Sequence, residues 1–213
     1  EPWAFYKGHR LVAIDGSEID LQDEEAIRAE YHVSNDGGKN KHPCPKLRFA
    51  GLMEIGSRAI IDVEIAQPLD KNGKKKKICA KDDAEVNLAA ALLDRLTAGM
   101  LILGDRLYPC CCYLQKIIIA GSNFLVRARE GMSLTPISYF KDGSYLAKLT
   151  SRPTSERDGC EMTVRVIDYQ IFDKDRNVVG TGRLITSLLD AELYPAHELV
   201  VLYHERWEIE IGY

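Results

Sequence analysis

The sequence predicts an α/β fold in which buried strands are covered by helices and followed by a longer β-rich stretch. Two short apolar runs, residues 11–14 and 100–103, each end at an aspartate. Short runs without polar alternation are typical of strands buried on both faces, as in a parallel sheet. Segments with helical spacing flank the second run, and residues 130–189 carry turn signals at short intervals.

The size and composition are those of a globular protein. At about 150 residues per domain, 213 residues predict one large domain, and 46% hydrophobic with 28% charged residues excludes a disordered or collagen-like chain. No apolar run approaches the ~18 residues of a transmembrane helix. The first ten residues hold neither a basic nor an apolar leader segment, which predicts no signal peptide and a sequence that starts within a longer protein.

The charge is acidic overall and basic in two places. A net charge of −4 and a pI near 5.8 argue against a dedicated nucleic-acid-binding module. Residues 39–48 nevertheless hold four lysines and arginines without an acid, and residues 71–77 hold five lysines. Each stretch fits a solvated loop that favours solubility, and each could instead lie along a phosphate backbone.

The cysteines predict no disulfide framework. Three of the six are consecutive, at residues 110–112, and no Cys-x-x-Cys pair occurs. The apolar helical pattern around the triple predicts buried, reduced thiols and an intracellular protein. Five histidines without a His-Glu-x-x-His motif give little support to a histidine zinc site.

Strands and helices alternate up to residue 129. Asp82 and Glu85 have the spacing of a capping box at a helix start, and Pro109 suits the first turn of the next helix. Strands are bounded by turn residues such as Gly56 and Ser57. The predicted elements are strands at 11–14, 46–55 and 58–66, a helix from 82 to 99, a strand at 100–103, a helix from 109 to 121, and a strand at 123–129.

Residues 130–189 are predicted to be a β-rich insertion subdomain. Asp-Gly and Asp-to-Asn turn signals at residues 142–143, 158–159 and 173–177 separate short strands. Within one of them the apolar phase moves from Val164 and Val166 to Ile167, which predicts a β-bulge near residues 166–167.

The last helix opens at Pro195 and carries charges on its apolar side. At about 100° per residue, Ala196, Leu199, Val200, Tyr203 and Trp207 form one stripe that we expect to face the core. Arg206 and Glu210 fall within or beside this stripe. A buried charge needs a partner, and the simplest interpretation is an ion pair between these two side chains at positions i and i+4.

A functional interpretation joins Glu210 to the two strand-terminal acids. If the strands are adjacent, Asp15 and Asp105 come together, and the inward Glu210 supplies a third carboxylate. Three such acids repel one another unless cations neutralise them, and oxygen ligands select Mg²⁺ or Mn²⁺. Alternatively, Asp15 forms a plain Asp-Gly turn and Asp105 opens a connection to a helix.

Three motifs in this order resemble a known family. They are AIDGS at 13–17, LILGDRLY at 101–108 and YHERWEIE at 203–210, with a β-rich stretch before the third. They are similar to the DDE transposases of bacterial insertion sequences, in the subgroup with a Tyr-x2-Arg-x3-Glu-x6-Lys signature. Tyr203, Arg206 and Glu210 match that spacing, and the similarity extends across nearly all 213 residues.

The resemblance implies an RNase H-like core, a mixed sheet flanked by helices, with the β-rich insertion before the last helix. Asp15, Asp105 and Glu210 are then the catalytic, metal-binding triad for two Mg²⁺ or Mn²⁺ ions. Tyr203 and Arg206 are expected to contact DNA phosphates. The implied activity is cut-and-paste transposition by phosphodiester hydrolysis and strand transfer. The implied partners are double-stranded transposon-end and target DNA and a second copy of the chain, with a cytoplasmic, nucleoid-associated location.

Some features depart from the family pattern, and other functions remain open. Leu107 replaces a glycine that commonly follows Asp-Arg, and the insertion has no tryptophan to place against the DNA end. Its other aromatic residues are candidates for that role: Tyr139, Phe140, Tyr145, Tyr169 and Phe172. The alternatives are another RNase H-like nuclease, a decayed or domesticated transposase acting as a DNA-binding or interaction protein, and an α/β binding domain whose acids only cap turns.

Overall fold

A computed structural model describes residues 2–33, 44–66, 84–151, 159–208 and 211. Asp82, Glu210, Cys79 and the lysine-rich residues 71–77 lie outside this part. Its strands are β1 Phe5–Tyr6, β2 His9–Asp20, β3 His32–Val33, β4 Pro45–Glu54, β5 Ile60–Ile65, β6 Met100–Gly104, β7 Asn123–Arg127, β8 Pro136–Tyr139, β9 Tyr145–Ser151, β10 Cys160–Phe172 and β11 Val178–Thr186. Its helices are α1 Glu25–Glu30, α2 Ala84–Leu92, α3 Cys111–Ile119 and α4 Ala196–His204, with 3₁₀ turns at Pro2–Ala4, Leu93–Arg95 and Glu205–Trp207.

The described strands form one mixed sheet in the order β3-β4-β2-β6-β7-β11-β10-β9-β8, with β1 paired to β2 and β5 to β4. Strands β2, β6 and β7 run parallel, and the other pairs are antiparallel. The two apolar runs lie in neighbouring buried strands, β2 and β6. The prediction that the first strand ends at Asp15 is wrong, because β2 continues to Asp20 as a partner of β4. Strands β8–β11 extend the sheet through the β11–β7 pair, and the division of the chain into a core and an insertion stays a prediction.

Helices cover both faces of the sheet, which explains why its central strands are apolar without alternation. Val12 and Ile14 pack against α2 and α3 on one face. Leu11 and Ala13 pack with α4 on the other. All four side chains are at most 2% exposed. A strand covered on both sides has no solvent-facing positions, so its sequence reads as a continuous apolar run.

The same two-sided burial corrects the predicted bulge. The β10–β11 register is regular through residues 166–167, and the irregularity lies between Ile171 and Phe172. Val164 and Val166 belong to the cluster under α2 and α3, whereas Ile167 belongs to the cluster under α4. The apolar phase changes because both faces of β10 are covered, not because the strand contains an extra residue.

The prediction of buried reduced thiols is wrong for one cysteine pair. Cys111 at the start of α3 and Cys160 at the start of β10 form a disulfide across 49 residues of sequence. Cys110 and Cys112 are half-buried and join no disulfide within the described residues. The pairing depends on β10 packing against α3, a contact between distant segments that the spacing of cysteines does not reveal.

Among the described residues, no helix combines the length and the apolar character that crossing a bilayer requires.

Candidate active site

Asp15 and Asp105 lie side by side where the parallel pairing of β2 and β6 ends. The last registered pair of β2 and β6 joins Ile14 to Gly104. Asp15 is the next residue of β2, and Asp105 is the first residue after β6. Side chains alternate between the faces of a sheet. Because Ala13 and Leu103 pack on the α4 face, the same alternation directs both carboxylates toward α4.

The Asp15 carboxylate is held between the backbone and an arginine. Its Oδ1 accepts a hydrogen bond from the N–H of Gly16 at 3.0 Å, and its Oδ2 accepts one from a guanidinium nitrogen of Arg206 at 3.0 Å. The two side chains are only 15% and 4% exposed. Little water reaches this ion pair, so it is stronger than an exposed one.

Asp105 is half-exposed beside Asp15, in the connection that follows β6. Its Oδ1 accepts a hydrogen bond from the N–H of Arg106 at 2.5 Å. The pair therefore offers one largely buried and one more accessible carboxylate on the same face of the sheet.

Tyr203 and Arg206 reach the two acids from the end of α4. The Arg206 guanidinium carbon lies 6.0 Å from the centre of the Tyr203 ring and 4.9 Å from that of Trp207. Burial raises the pKa of Tyr203 to about 12. The positive charge of Arg206 lowers this pKa, whereas the negative charge of Asp105 raises it further. Asp15, Asp105, Tyr203 and Arg206 thus form one cluster.

The chain winds into a 3₁₀ turn at Glu205–Trp207, which changes which side chains face the core. Such a turn advances about 120° per residue rather than about 100°. Arg206 is buried as expected, but Trp207 is 52% exposed, so its prediction as a core residue is wrong. The described partner of Arg206 is Asp15, whereas Glu210, its predicted ion-pair partner, lies outside the described residues.

A buried arginine on β10 fixes the start of α4. The Arg165 side chain is fully buried and donates to Ser144 Oγ at 2.8 Å, Asp142 Oδ2 at 2.5 Å and the carbonyl oxygen of Tyr194 at 2.6 Å. Asp142 Oδ2 also accepts the N–H of Ala196, the first residue of α4, at 3.0 Å. This network ties the β8–β9 turn to the helix that carries Tyr203 and Arg206.

Glu85 packs against Gly16, the residue that follows Asp15. A Cβ on Gly16 would overlap the Glu85 side chain, and Glu85 Oε1 accepts a hydrogen bond from the Tyr108 hydroxyl at 2.8 Å. Burial raises the pKa of Tyr108, and the charges of Glu85 and Asp15 add to that effect. The sequence suggested only a capping role for Glu85, and no local pattern indicates its contact with Gly16.

The aromatic candidates for DNA contact differ in how far their side chains are exposed. Tyr145 is buried, and Phe140 lies under Arg165, with 5.5 Å from the ring centre to the guanidinium carbon. Tyr139 and Phe172 are 70% and 55% exposed, and Tyr169 is half-buried against the α4-side cluster. Tyr169 also contributes to the raised pKa of Tyr203, so among these candidates it is the one shown to interact with Tyr203.

The described residues supply two of the three predicted metal ligands. Asp15 and Asp105 are together, and Glu210 lies outside the described part. Within that part, no three His, Cys, Asp or Glu side chains form a group arranged to hold a metal ion.

Comparison with known proteins identifies the family. Residues 6–213 match the family described as Transposase DDE domain. The chain belongs to this family. The match confirms the predicted resemblance at the level of the family and the α/β, RNase H-like fold class, with its mixed sheet and flanking helices.

A curated relative of the chain is the Transposase InsG for insertion sequence element IS4 of Escherichia coli (strain K12). The two are 29% identical over 218 residues, an alignment that covers 100% of this chain and 45% of the relative. The chain therefore spans a little under half the length of this relative. The Tyr-Arg-Glu-Lys signature of the proposed subgroup stays a prediction.

Proposed function

We propose that the chain is the catalytic core of a DNA transposase that hydrolyses and joins phosphodiester bonds at transposon ends, by cut-and-paste transposition. The observation that carries this proposal is the placement of Asp15 next to Asp105, where the parallel pairing of β2 and β6 ends, with Tyr203 and Arg206 packed beside them. Membership in the transposase family supports it.

In this proposal Asp15, Asp105 and Glu210 hold two Mg²⁺ or Mn²⁺ ions. The two adjacent carboxylates fit this role, because hard oxygen ligands in a partly open site suit both metals. The third ligand is assigned to Glu210 from its spacing after Arg206 in the family signature. When bound, such ions supply a more acidic nucleophile and neutralise charge on the phosphoryl and leaving oxygens.

Tyr203 and Arg206 are proposed to bind DNA phosphates. The planar guanidinium fork of Arg206 matches phosphate geometry, and the Asp15 contact holds it at the site before DNA arrives. Because the pKa of Tyr203 is about 12, its hydroxyl stays protonated near neutral pH and can donate a hydrogen bond to a phosphate oxygen. We further propose a homodimer that joins two ends, and a cytoplasmic, nucleoid-associated location.

The test removes one carboxylate charge at a time. Asp15→Asn and Asp105→Asn should each abolish Mn²⁺-dependent cleavage of end DNA by the full gene product while DNA binding persists. Both changes hardly alter the side-chain volume, but Asp15→Asn also removes the charged partner of the buried Arg206, so circular dichroism checks that each variant is folded. Asp94→Asn, at an exposed position in the 3₁₀ turn after α2, is the matched control and should leave cleavage unchanged.

Each outcome separates the proposed activity from its alternatives. Cleavage retained in either site variant would remove that residue from the catalytic set. Cleavage by the wild type without strand transfer would favour another RNase H-like nuclease. DNA binding by the wild type without any cleavage would favour a decayed or domesticated transposase.

A further inference from the structure

A groove lined by arginines opens next to Asp105. It has a volume of about 680 Å³ and lies between the connection after β6, the end of β7, and strands β10 and β11. Four arginines line it and define the arginine groove: Arg106, Arg127, Arg129 and Arg183. Four guanidinium groups converge here although the whole chain has a net charge of −4.

Arg127 continues the row of site residues across the sheet. The last registered pair of β6 and β7 joins Gly104 to Val126, so Arg127, the last residue of β7, lies level with Asp105, the first residue after β6. Leu125 packs on the α4 face, and alternation along the strand places Arg127 on that face also. Asp105 is therefore flanked by Asp15 on one neighbouring strand and by Arg127 on the other.

Most of the positive charge in the arginine groove is not neutralised by carboxylates. Arg183 is paired with Asp168, with its Nε 2.6 Å from Oδ1. Arg129 donates instead to two backbone carbonyl oxygens, those of Arg106 at 3.0 Å and of Leu107.

The other two guanidinium groups are those of Arg106 and Arg127. Within the described residues, the side chains of Arg106 and Arg127 form neither a hydrogen bond nor an ion pair. The groove also contains Glu130, which pairs with none of the arginines within the described part. Three guanidinium groups beside one unpaired carboxylate leave a positive field at the groove, and such a field attracts an anionic ligand.

The geometry points to a phosphodiester-binding site: we propose that the arginine groove binds the DNA backbone adjacent to the phosphate that reacts at Asp105. This inference rests on the proposed function, since DNA at Asp105 is what makes the next phosphates along the strand reach Arg127 and Arg106. Guanidinium groups bind phosphates by charge-assisted hydrogen bonds that fix register without reading sequence. The site is separate from the Tyr203 and Arg206 contact.

The experiment measures DNA binding as a function of salt. The chain and its variants are titrated into fluorescein-labelled duplexes in EDTA, and binding is followed by anisotropy between 50 and 200 mM NaCl. The test variant is Arg106→Gln with Arg127→Gln. The matched control is Lys116→Gln with Arg176→Gln, which removes two exposed positive charges outside the groove.

Loss of two phosphate contacts should reduce the slope of log K against log salt by about 1.8, at about 0.9 per contact. At about 0.1 M salt this corresponds to roughly 60-fold weaker binding. The control should change the slope by less than about 0.5. Thermal unfolding of all variants should agree within a few degrees, since neither pair of side chains forms a hydrogen bond or ion pair with the part of the chain that the structure describes.

Two results would overturn the assignment. An unchanged slope in the Arg106/Arg127 variant, or an equal loss in the control variant, would show that binding reflects diffuse charge and not this groove. Failure of the wild type to bind any duplex would instead count against the proposed function itself.

Two duplexes distinguish the source of the phosphate backbone. One carries the end sequence of the element that encodes the chain, and the other is unrelated. An equal loss on both supports a backbone site that either DNA can occupy, and a loss confined to the end duplex supports a site for the transposon end.

Discussion

Replacing Arg165 with methionine should strongly destabilise the protein. The guanidinium is fully buried, and the substitution removes its hydrogen bonds to Ser144, Asp142 and the carbonyl oxygen of Tyr194. Removing one member of a buried ion pair costs about 3–5 kcal/mol. Asp142 is 25% exposed and keeps its hydrogen bond from the N–H of Ala196. We therefore expect the low end, about 3 kcal/mol of the free energy of unfolding.

The assay is urea denaturation followed by far-ultraviolet circular dichroism, with Arg183→Met as the control. Arg183 lies on the neighbouring strand and pairs with Asp168, but these side chains are 41% and 51% exposed. Exposed pairs contribute about 0–1 kcal/mol. If Arg165→Met costs no more than Arg183→Met, the burial argument is refuted.

The partner substitution Asp142→Asn adds a pH signature. Burial by itself raises the pKa of Asp142, but hydrogen bonds from Ser144 and Ala196 and the charge of Arg165 outweigh it, and the net pKa lies below the usual 3.8. The stability this carboxylate contributes is therefore present above pH 3.8 and is lost as the pH falls through the lower folded-state value. Asp142→Asn should remove that acid-dependent component and leave the Arg165 charge uncompensated at every pH.

Three further predictions concern the candidate site. Gly16→Ala forces the Glu85 side chain to move; we expect a loss of about 1–3 kcal/mol in urea denaturation, and a neutral result would mean that Glu85 moves freely. Arg206→Gln removes a positive charge from Asp15; Mn²⁺ should bind roughly tenfold more tightly by calorimetry, whereas equal affinity would place the ion elsewhere. The pKa of Tyr203 is about 12 against 10.0 for an unperturbed tyrosine; its contribution to stability is present below pH 10 and falls as the pH rises from 10 to 12. Tyr203→Phe should remove that component from a series of melting temperatures, and an unchanged pH slope would contradict the assignment.

The sequence predicted well where short-range patterns decide the structure. The apolar runs of β2 and β6 and the helical spacing of α3 and α4 are local signals, and β6, α3 and the start of α4 appear within two residues of their expected positions. The prediction was wrong for the end of β2, which continues past its apolar run to Asp20 as a partner of β4. Continuous apolar runs also indicated burial on both faces, as the two core clusters confirm. The prediction failed at Trp207, where a 3₁₀ turn replaces regular helix and no sequence signal marks the change.

The partners of individual side chains were beyond local reasoning. Arg206 was expected beside Glu210, four residues away, yet its described partner is Asp15, 191 residues distant. The Cys111–Cys160 disulfide and the contact of Glu85 with Gly16 likewise join segments that packing brings together. A side chain's partner depends on strand order and on which helix covers which face, and neither is encoded in spacing along the chain.

The sequence by itself determined the family, the two apolar runs that lead to Asp15 and Asp105, and the inward position of Arg206. Only the tertiary structure decided that β2, β6 and β7 are neighbours in register, which places Arg127 beside Asp105. The physical reason is the range of the interactions. Apolar periodicity records how each segment meets the core, whereas register and charge pairing arise from hydrogen bonds and packing between segments far apart in sequence.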